Sequence, residues 1–353
     1  MILHNKPAIN NKEIESLKSV LESGWIAQGK KVREFENLLC RYLGYKPGYA
    51  VAFSSGTAAL FVTLVSLGIK QSDEIIIPSY VCSAVLNAVY LARANPVLVD
   101  VNPEDFNISF EQTKKKISSK TKTIIIPHIY GVPANVDKFV KLSIPVIEDC
   151  AQAIGSEYKG KKVGTFGDAA IFSFYASKML TTGYGGMVFS KNGKIIEKIR
   201  DYREFDCRRH YKPRFNFQLS DFQAAMGISQ IKRLPQFIEK RTEIADEYYE
   251  ILPSENVWPS NRINNKRPNF YRFLIKVNNP KKLKRFLESK GIKAIIPIQT
   301  FELLHRYLRQ NPKNFPVSEE IAKTTLSIPI YPSLKKYEIE KIKFCLKEYF
   351  RTN

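Results

Sequence analysis

The chain has 353 residues, of which 44% are hydrophobic and 25% are charged, the composition of a globular protein large enough for two domains. Its formal charge is +21, but the lysines and arginines are spread along the sequence, with no arginine-rich tail and no nucleic-acid-binding motif. These features argue against a nucleic-acid-binding protein and favour a substrate that carries phosphate.

No stretch is long and apolar enough to span a bilayer, and residues 1–11 lack the apolar centre of a signal peptide. The chain contains five cysteines, which are odd in number and have no paired spacing: Cys40, Cys82, Cys150, Cys207 and Cys345. This pattern favours reduced thiols, and hence a cytoplasmic protein away from membranes, over disulfides or a zinc site.

The first part of the chain predicts two helices, over 11–22 and 32–43, because apolar residues recur there at helical spacing. A strand over 49–53 then leads through Ser54, Ser55, Gly56 and Thr57 into an apolar helix that ends near Gly68. A strand, a Ser/Gly/Thr turn and a helix start together can bind an anion, because backbone N–H groups at the helix start are unpaired. A plain Ser/Thr N-cap explains the same residues.

Short apolar strands then alternate with helical stretches, at 75–78, 97–100, 123–127 and 144–149. This alternation predicts an α/β fold with a mostly parallel sheet covered by helices on both faces. In such sheets ligands bind beyond the carboxyl ends of the strands. The residues that lie just beyond predicted strand ends are Thr57, Tyr80, Asp149, Ser173 and Lys178. We therefore expect them to share one site.

Asp149 closes one of these strands and is followed closely by Gln152. A carboxylate at this place could hold a cationic ring nitrogen, and Gln152 could reach a neighbouring oxygen. An N-cap of the next helix explains Asp149 equally well, because caps are common.

The stretch 169–189 predicts a buried strand over 169–174, a polar segment with Lys178, a glycine-rich turn over 183–186 and another strand. A lysine that follows a buried strand on a loop can be desolvated. Desolvation lowers the pKa of a lysine amine and makes it a nucleophile for an aldehyde. The alternative is a surface lysine in a lysine-rich chain.

The rest of the chain predicts a helical connector over 219–251, interrupted at Pro235, and then a smaller α+β region. Within that region we expect strands at 270–277, 292–298 and 324–329 and helices at 280–289 and 336–350. We therefore predict a large domain over 1–240, whose N-terminal segment can pack on the small domain, and a small C-terminal domain over 241–353.

Motifs in a fixed order extend along nearly the whole chain. They lie at 23–29, 35–36, 55–60, 78–80, 99–101, 128–133, 148–153, 172–186, 216, 219–225 and 326–334. In this order they resemble the DegT/DnrJ/EryC1/StrS family, the pyridoxal-phosphate sugar aminotransferases of aminotransferase fold type I. The resemblance implies an enzyme with a large cofactor-binding domain and a smaller C-terminal one.

The resemblance also implies roles for individual residues. Lys178 would form the internal aldimine with pyridoxal phosphate and carry the proton between Cα and C4′. Asp149 would pair with the pyridinium nitrogen, Gln152 would hydrogen-bond the phenolic oxygen, and Tyr80 would stack on the ring face.

The phosphate group of the cofactor is implied to lie against Ser55, Gly56, Thr57 and Ser173. Asn216 matches the family residue that reaches the phosphate from the partner subunit, which implies a homodimer with its sites at the interface. A metal site is not expected. His128 follows a strand, and the sequence shows no cluster of carboxylates near it.

The implied reaction passes an amino group from glutamate, by way of pyridoxamine phosphate, to a keto group of a nucleotide-linked deoxysugar. Deoxyamino sugar and polysaccharide biosynthesis is the family-level setting. Two alternatives stay open: a pyridoxal-phosphate sugar enzyme of other chemistry, such as dehydration, and a regulatory protein that binds the cofactor without turnover. Dehydratase relatives carry histidine in place of the lysine, so Lys178 argues against that chemistry.

Several further residues bear on the selectivity of the site. Tyr184 stands where the family usually has glutamate, which puts donor or acceptor selectivity in doubt. The basic loop 203–214 could meet a diphosphate or could simply be solvated. Trp25, His305 and Tyr331 could line a sugar pocket, although packing explains each of them at least as well.

Overall fold

The computed structural model of the chain describes residues 1–258 and 265–352. The α-helices are α1 (Asn11–Ser23), α2 (Lys30–Tyr42), α3 (Gly56–Ser66), α4 (Ser83–Leu91), α5 (Phe110–Lys116), α6 (Val136–Phe139), α7 (Gly193–Arg203), α8 (Asp221–Tyr249), α9 (Pro280–Ser289), α10 (Leu304–Tyr307), α11 (Pro316–Thr324) and α12 (Lys336–Thr352). The β-strands are β1 (Ala50–Phe53), β2 (Glu74–Pro78), β3 (Asn95–Val99), β4 (Thr121–Pro127), β5 (Val146–Asp149), β6 (Glu157–Tyr158), β7 (Lys161–Lys162), β8 (Ala169–Ser173), β9 (Gly186–Phe189), β10 (Val257–Trp258), β11 (Lys266–Arg267), β12 (Phe273–Lys276) and β13 (Thr325–Ile328).

A seven-stranded sheet in the order β1-β9-β8-β5-β4-β2-β3 forms the centre of the molecule. Strand β9 is antiparallel to both of its neighbours, and the strands from β8 to β3 pair in parallel. All strands of this sheet except β9 therefore end at the same edge. This confirms the predicted α/β fold with a mostly parallel sheet, and it brings the segments after β1, β2, β4, β5 and β8 together.

Helices cover both faces of this sheet. Ala50 and Ala52 of β1 pack in one core with α2 and α8, whereas Val51 and Phe53 pack in a second core with α3, α4 and α7. This division follows from the two-residue alternation of side chains along a strand. Because both faces are covered, most side chains in the middle of these strands are apolar and buried, as the sequence pattern indicates.

A third core lies around the antiparallel sheet β10-β12-β13 and the helices α9 and α12, and Ile2 of the N-terminal segment packs into it. Helix α8 contributes Ala224 and Ile228 to the first core and Ile244 and Tyr248 to the third. Because one helix serves both cores, the domain boundary at residue 240 stays a prediction. Among the described residues, no helix is both long and apolar enough to cross a membrane.

Two details of the predicted secondary structure are wrong. Helix α8 continues through Pro235 without a break, because Leu234 and Phe237 are buried in the core. Their packing offsets the roughly 3 kcal/mol that proline costs inside a helix. The stretch 292–298 is not a regular strand: Ile292 bridges only to Ile2, and Ile295 only to Ser327.

Candidate active site

A cavity of about 290 Å³ opens at the edge where the parallel strands end. It is lined by seven of the nine cofactor-binding residues predicted from the sequence: Ser55, Gly56, Thr57, Asp149, Gln152, Ser173 and Lys178. The segments that carry them follow β1, β5 and β8, so the sheet topology alone places them side by side. Four of the five residues that we expected to share a site beyond the strand ends line this cavity, and the fifth, Tyr80, does not.

One wall of the cavity is the start of helix α3. Ser55 is its N-cap, and its Oγ accepts a hydrogen bond from the Ala58 backbone N–H at 3.1 Å. The other N–H groups of the first helical turn have no partner within the helix, so this helix start can bind an anion. A Cβ added to Gly56 would lie 3.1 Å from the Cβ of Ser173, so the absent side chain leaves a concave surface between α3 and β8.

Asp149 ends β5, also lines the cavity and is 9% exposed. Its Oδ1 accepts a hydrogen bond from the Ala151 backbone N–H at 2.9 Å. A contact of this kind is what the N-cap alternative predicts, so the alternative to a ligand-binding role is also represented. Burial raises the pKa of the Asp149 carboxyl, and the Ala151 N–H and the positive charge of Lys178 oppose that rise. A cationic group at this carboxylate would offset the cost of burying it.

A buried His–Glu pair fixes the strand that carries Asp149. Both carboxylate oxygens of Glu148 accept hydrogen bonds: from the His128 ring at 3.0 Å and from the backbone N–H groups of Gly164, Phe166 and Gly167 at 2.8 Å each. Burial works against ionisation, but these bonds outweigh it and lower the pKa of Glu148.

The hydrogen bonds of the same pair weigh against a metal site among His128, Glu148 and Cys150, three potential ligands that lie close together. His128 Nδ1 accepts the Ala134 backbone N–H at 2.9 Å, which leaves the proton on Nε2 to donate to Glu148. Cys150 lies within 4.8 Å of these two groups, and burial raises the pKa of its thiol well above its usual range. Because the histidine nitrogens and the carboxylate oxygens are already hydrogen-bonded, these contacts favour a structural role for His128.

The side-chain amide of Gln152 has a defined orientation. Its Oε1 accepts a hydrogen bond from the Tyr130 backbone N–H at 2.7 Å, and Tyr130 itself is held in the left-handed region at φ 55°. With the carbonyl oxygen occupied, the amide NH₂ group remains to donate a hydrogen bond toward the cavity. This suits an anionic or phenolic oxygen in a ligand.

Lys178 lies on the loop that follows β8 and is partly buried. The Lys178 backbone N–H donates to the Tyr175 carbonyl at 2.9 Å, and the Asn5 side chain donates to the Ser177 carbonyl at 2.8 Å. Its Nζ is 5.3 Å from the centre of the Tyr271 ring. Burial opposes ionisation of Tyr271, but the charges of Lys178 and other cations prevail and lower its pKa to about 8.

Tyr80 does not line the cavity, so the assignment of its ring to the face of a cofactor is corrected. It is 1% exposed, and its hydroxyl shares a hydrogen bond with the Tyr130 hydroxyl at 2.8 Å. The next residues, Val81 and Cys82, line the cavity instead. Sequence reasoning missed them, since a position after a strand does not tell which side chain faces the ligand.

Asn216 is exposed and does not line the cavity of its own chain. The neighbouring Phe217 carbonyl accepts the Ser54 backbone N–H at 2.8 Å, which holds this segment beside the turn before α3. The role of Asn216 toward a partner subunit stays a prediction.

Most of the basic loop 203–214 is bound to the protein itself. Arg208, Lys212 and Arg214 all form ion pairs with Asp201, at 2.6, 2.5 and 3.1 Å. Arg203 is buried against Glu36. Within the described residues, this loop is therefore organised around acidic side chains of its own chain, which favours the interpretation that it does not meet a diphosphate.

The three residues considered for a sugar pocket do not line this cavity. Trp25 is 63% exposed and Tyr331 is buried. His305 is fully buried, 2.6 Å from the Ser79 hydroxyl and 3.0 Å from Glu319. The packing alternative fits His305 and Tyr331. At the mouth of the cavity, Tyr184 stands edge-on to Tyr175, with ring centres 5.2 Å apart.

Comparisons with known proteins agree with this architecture. A model of the DegT/DnrJ/EryC1/StrS aminotransferase family matches residues 7–347. The chain is 33% identical to an uncharacterized protein of Methanocaldococcus jannaschii, covering 99% of this chain and 97% of that protein. It is 30% identical to GDP-perosamine synthase of Vibrio cholerae, with 99% of each covered. The crystal structure of the aminotransferase TlmJ from Streptoalloteichus hindustanus superposes with a TM-score of 0.93 at 25% identity, covering 100% of this chain and 99% of that one.

Proposed function

The chain belongs to the DegT/DnrJ/EryC1/StrS family of pyridoxal-phosphate-dependent sugar aminotransferases, and from this we propose that it transfers the amino group of glutamate to the keto group of a nucleotide-linked deoxysugar. The observation that carries the proposal is that Lys178 and Asp149 line one cavity together with the start of α3. An amine, a buried carboxylate and an anion-binding helix start are the three groups that pyridoxal phosphate requires.

The residues of the cavity fit this cofactor. Gly56, Thr57 and Ser173 would hold the phosphate, because the glycine leaves room and the helix start supplies N–H donors. Asp149 would accept a hydrogen bond from the protonated ring nitrogen, and the NH₂ group of Gln152 would donate one to the phenolic oxygen. When bound, pyridoxal phosphate supplies a conjugated ring that takes up electrons from a breaking Cα–H bond.

The side chains then have distinct tasks in the reaction. The Nζ of Lys178 takes the proton from Cα of the amino acid, and in the second half-reaction it gives a proton to the sugar carbon that receives the nitrogen. Asp149 keeps the ring nitrogen protonated. Glu148 and His128 act indirectly: they hold β5 in position, and β5 carries Asp149.

Two further features support a nucleotide-linked substrate and a dimer. The relative from Vibrio cholerae is named for a GDP-linked compound, and the formal charge of +21 suits an anionic substrate. We further propose that two chains associate so that Asn216, exposed beside the turn before α3, reaches the phosphate of the partner's cofactor. The exposed Tyr184 at the cavity mouth would then influence which donor or acceptor enters.

The direct test is nitrogen transfer. The purified protein is incubated with pyridoxal phosphate, ¹⁵N-glutamate and a panel of nucleotide-linked keto sugars, and the sugar products are analysed by mass spectrometry. The proposal predicts ¹⁵N in one product at the former keto carbon and none with Lys178→Ala. Loss of a hydroxyl without gain of nitrogen would instead establish dehydration, and binding without any reaction would establish a regulatory role.

A further inference from the structure

Two tyrosines at the mouth of the cavity keep much of their aromatic surface uncovered. Tyr175 is 45% exposed and Tyr184 is 63% exposed, and both line the cavity. Their ring centres are 5.2 Å apart, and their planes are inclined at 68° to each other. Within the ranges 1–258 and 265–352, neither hydroxyl forms a hydrogen bond with the protein. Uncovered aromatic rings beside a cavity are typical of a ligand-binding surface.

The backbone that carries Tyr184 is held in place by its neighbours. Its carbonyl accepts hydrogen bonds from the Thr182 hydroxyl and, at 2.8 Å, from the side-chain amide of Gln223. Gln223 lies in the first turn of α8, where its Oε1 accepts the Ser220 backbone N–H at 3.3 Å. A Cβ added to Gly185 would lie 2.5 Å from the Thr182 hydroxyl oxygen, so the turn is closely packed. The Tyr184 ring therefore stands at the cavity mouth on a fixed backbone.

Tyr175 places the pair on the same loop as the amine of the site. It follows the end of β8, and its carbonyl accepts the Lys178 backbone N–H at 2.9 Å. The carbon of the acceptor that reacts must come to Lys178 Nζ. In a nucleotide-linked sugar, the sugar ring, the phosphate linkage and a ribose separate the base from that carbon. The sugar ring, rather than the base, is therefore the part of the acceptor within reach of the two tyrosines.

The chemistry of the two rings suits one face of a deoxysugar. A pyranose ring presents C–H groups on its faces, and a missing hydroxyl enlarges that apolar surface. Aromatic rings bind such a surface, and tyrosine hydroxyls can also form hydrogen bonds with the remaining sugar hydroxyls. Asp149 is the only carboxylate among the described residues that line the cavity. The neutral Tyr184 therefore adds no negative charge that would repel a phosphate of the substrate.

We propose that Tyr175 and Tyr184 form a subsite for the apolar face of the deoxysugar ring, so that they select the sugar acceptor rather than the amino donor. This inference rests on the proposed function and specifies one part of it. The turn contacts fix Tyr184 and the Lys178 loop fixes Tyr175, so the subsite is formed before the substrate binds.

The test compares Tyr175→Ala, Tyr184→Ala and Tyr184→Phe with the wild type, each with pyridoxamine phosphate added. The matched control is Tyr337→Ala, which removes a 66% exposed tyrosine from α12, a helix of the third core. Calorimetry gives dissociation constants for three pairs of probes: GDP-fucose with GDP, dTDP-rhamnose with dTDP, and UDP-glucose with UDP. The affinity of the nucleotide-linked sugar that binds best should fall about two- to tenfold in both alanine variants and stay near wild type in Tyr184→Phe and Tyr337→Ala.

The nucleoside diphosphates identify the part of the substrate that the rings contact. Their affinities should not change in the alanine variants, because they have no hexose ring. An equal loss for a nucleoside diphosphate and its sugar conjugate would assign the rings to the base and overturn the inference. Unchanged sugar affinity in both alanine variants would also overturn it, and a lower sedimentation coefficient would then assign the rings to a contact between two chains. A loss of reactivity toward glutamate as large as the loss for the sugar would contradict selection of the acceptor.

A probe without a nucleotide separates this inference from the proposed function. Saturation-transfer NMR with methyl fucopyranoside detects contact between the C–H groups of the sugar and the protein. Transfer that depends on the tyrosines, without affinity for any nucleotide-linked sugar, would uphold the subsite and refute the nucleotide-linked substrate. Amination of a nucleotide-linked sugar with an unchanged KM in both alanine variants would do the opposite. Absence of both the transfer and the affinity in the wild type would overturn the subsite.

Discussion

The close approach of Gly186 to the start of helix α3 gives a sharp test of the phosphate wall. Gly186 begins β9, and a Cβ built on it would lie 2.5 Å from the Gly56 backbone nitrogen and even closer to the Ser55 carbonyl group. Ordinary van der Waals contact begins at 3.4 Å, so the Ser55–Gly56 peptide would have to recede by about 1 Å. The backbone at this place cannot rotate away as a flexible side chain could.

Gly186→Ala should therefore weaken cofactor binding and lower stability. Overpacking of this size typically costs about 1–3 kcal/mol of unfolding free energy. A shift of the first helical turn also disrupts hydrogen bonds to a phosphate, each worth about 1.5–3 kcal/mol, so the dissociation constant of pyridoxal phosphate should rise at least about tenfold.

The assay is an equilibrium titration of the apoprotein with pyridoxal phosphate, followed by visible absorbance, with circular dichroism to verify folding. Gly193→Ala is the control, because a Cβ there meets nothing within 4 Å and the residue lies at the start of α7, away from the cavity. Its dissociation constant and stability should match the wild type. A folded Gly186→Ala protein with wild-type affinity would refute the position of the phosphate wall.

Three further substitutions test separate parts of the account. Glu148→Gln should lower the unfolding free energy by about 3–5 kcal/mol, because an amide NH₂ would face buried N–H donors; a thermal midpoint equal to wild type would contradict this. Tyr80→Phe should lose about 1 kcal/mol of stability but keep the cofactor dissociation constant within about twofold, whereas a large rise would restore its ring to the cofactor face. The folded-state pKa of His4, about 3, lies below its usual 6.5, so its contribution is complete above pH 6.5 and stability falls as the pH drops further. His4→Asn should remove on the order of 1–2 kcal/mol of that loss between pH 6.5 and 5, measured as the difference in thermal midpoints; identical pH profiles would contradict the neutral histidine.

The sequence predicts the fold well where a local pattern determines the structure. Short strands such as 146–149 and 169–173 are buried on both faces, and in a parallel sheet their ends must meet at one edge. Lys178 and Asp149 could be brought together on that basis before any coordinates were known. The same argument works for the start of α3, since its turn follows another strand that ends at this edge.

Local patterns fail where distant contacts decide the outcome. Nothing near Tyr80 in sequence indicates that the Tyr130 hydroxyl holds its ring away from the cavity. Pro235 normally interrupts a helix, yet two hydrophobic cores fix α8 on either side of it. His4 reaches Ser327 and Arg272 across most of the chain length, so no motif or periodicity in the sequence identifies these contacts.

The central claim is that Lys178 binds pyridoxal phosphate in this cavity and that glutamate reacts there. The most direct measurement is the absorbance spectrum of the purified protein with the cofactor, before and after glutamate, in wild type and Lys178→Ala. We predict a visible band in the wild type that glutamate removes, and no such lysine-dependent band in the variant. A band that survives in Lys178→Ala, or no band in the wild type, would contradict the assignment of Lys178, and a wild-type band that glutamate leaves unchanged would contradict glutamate as the donor.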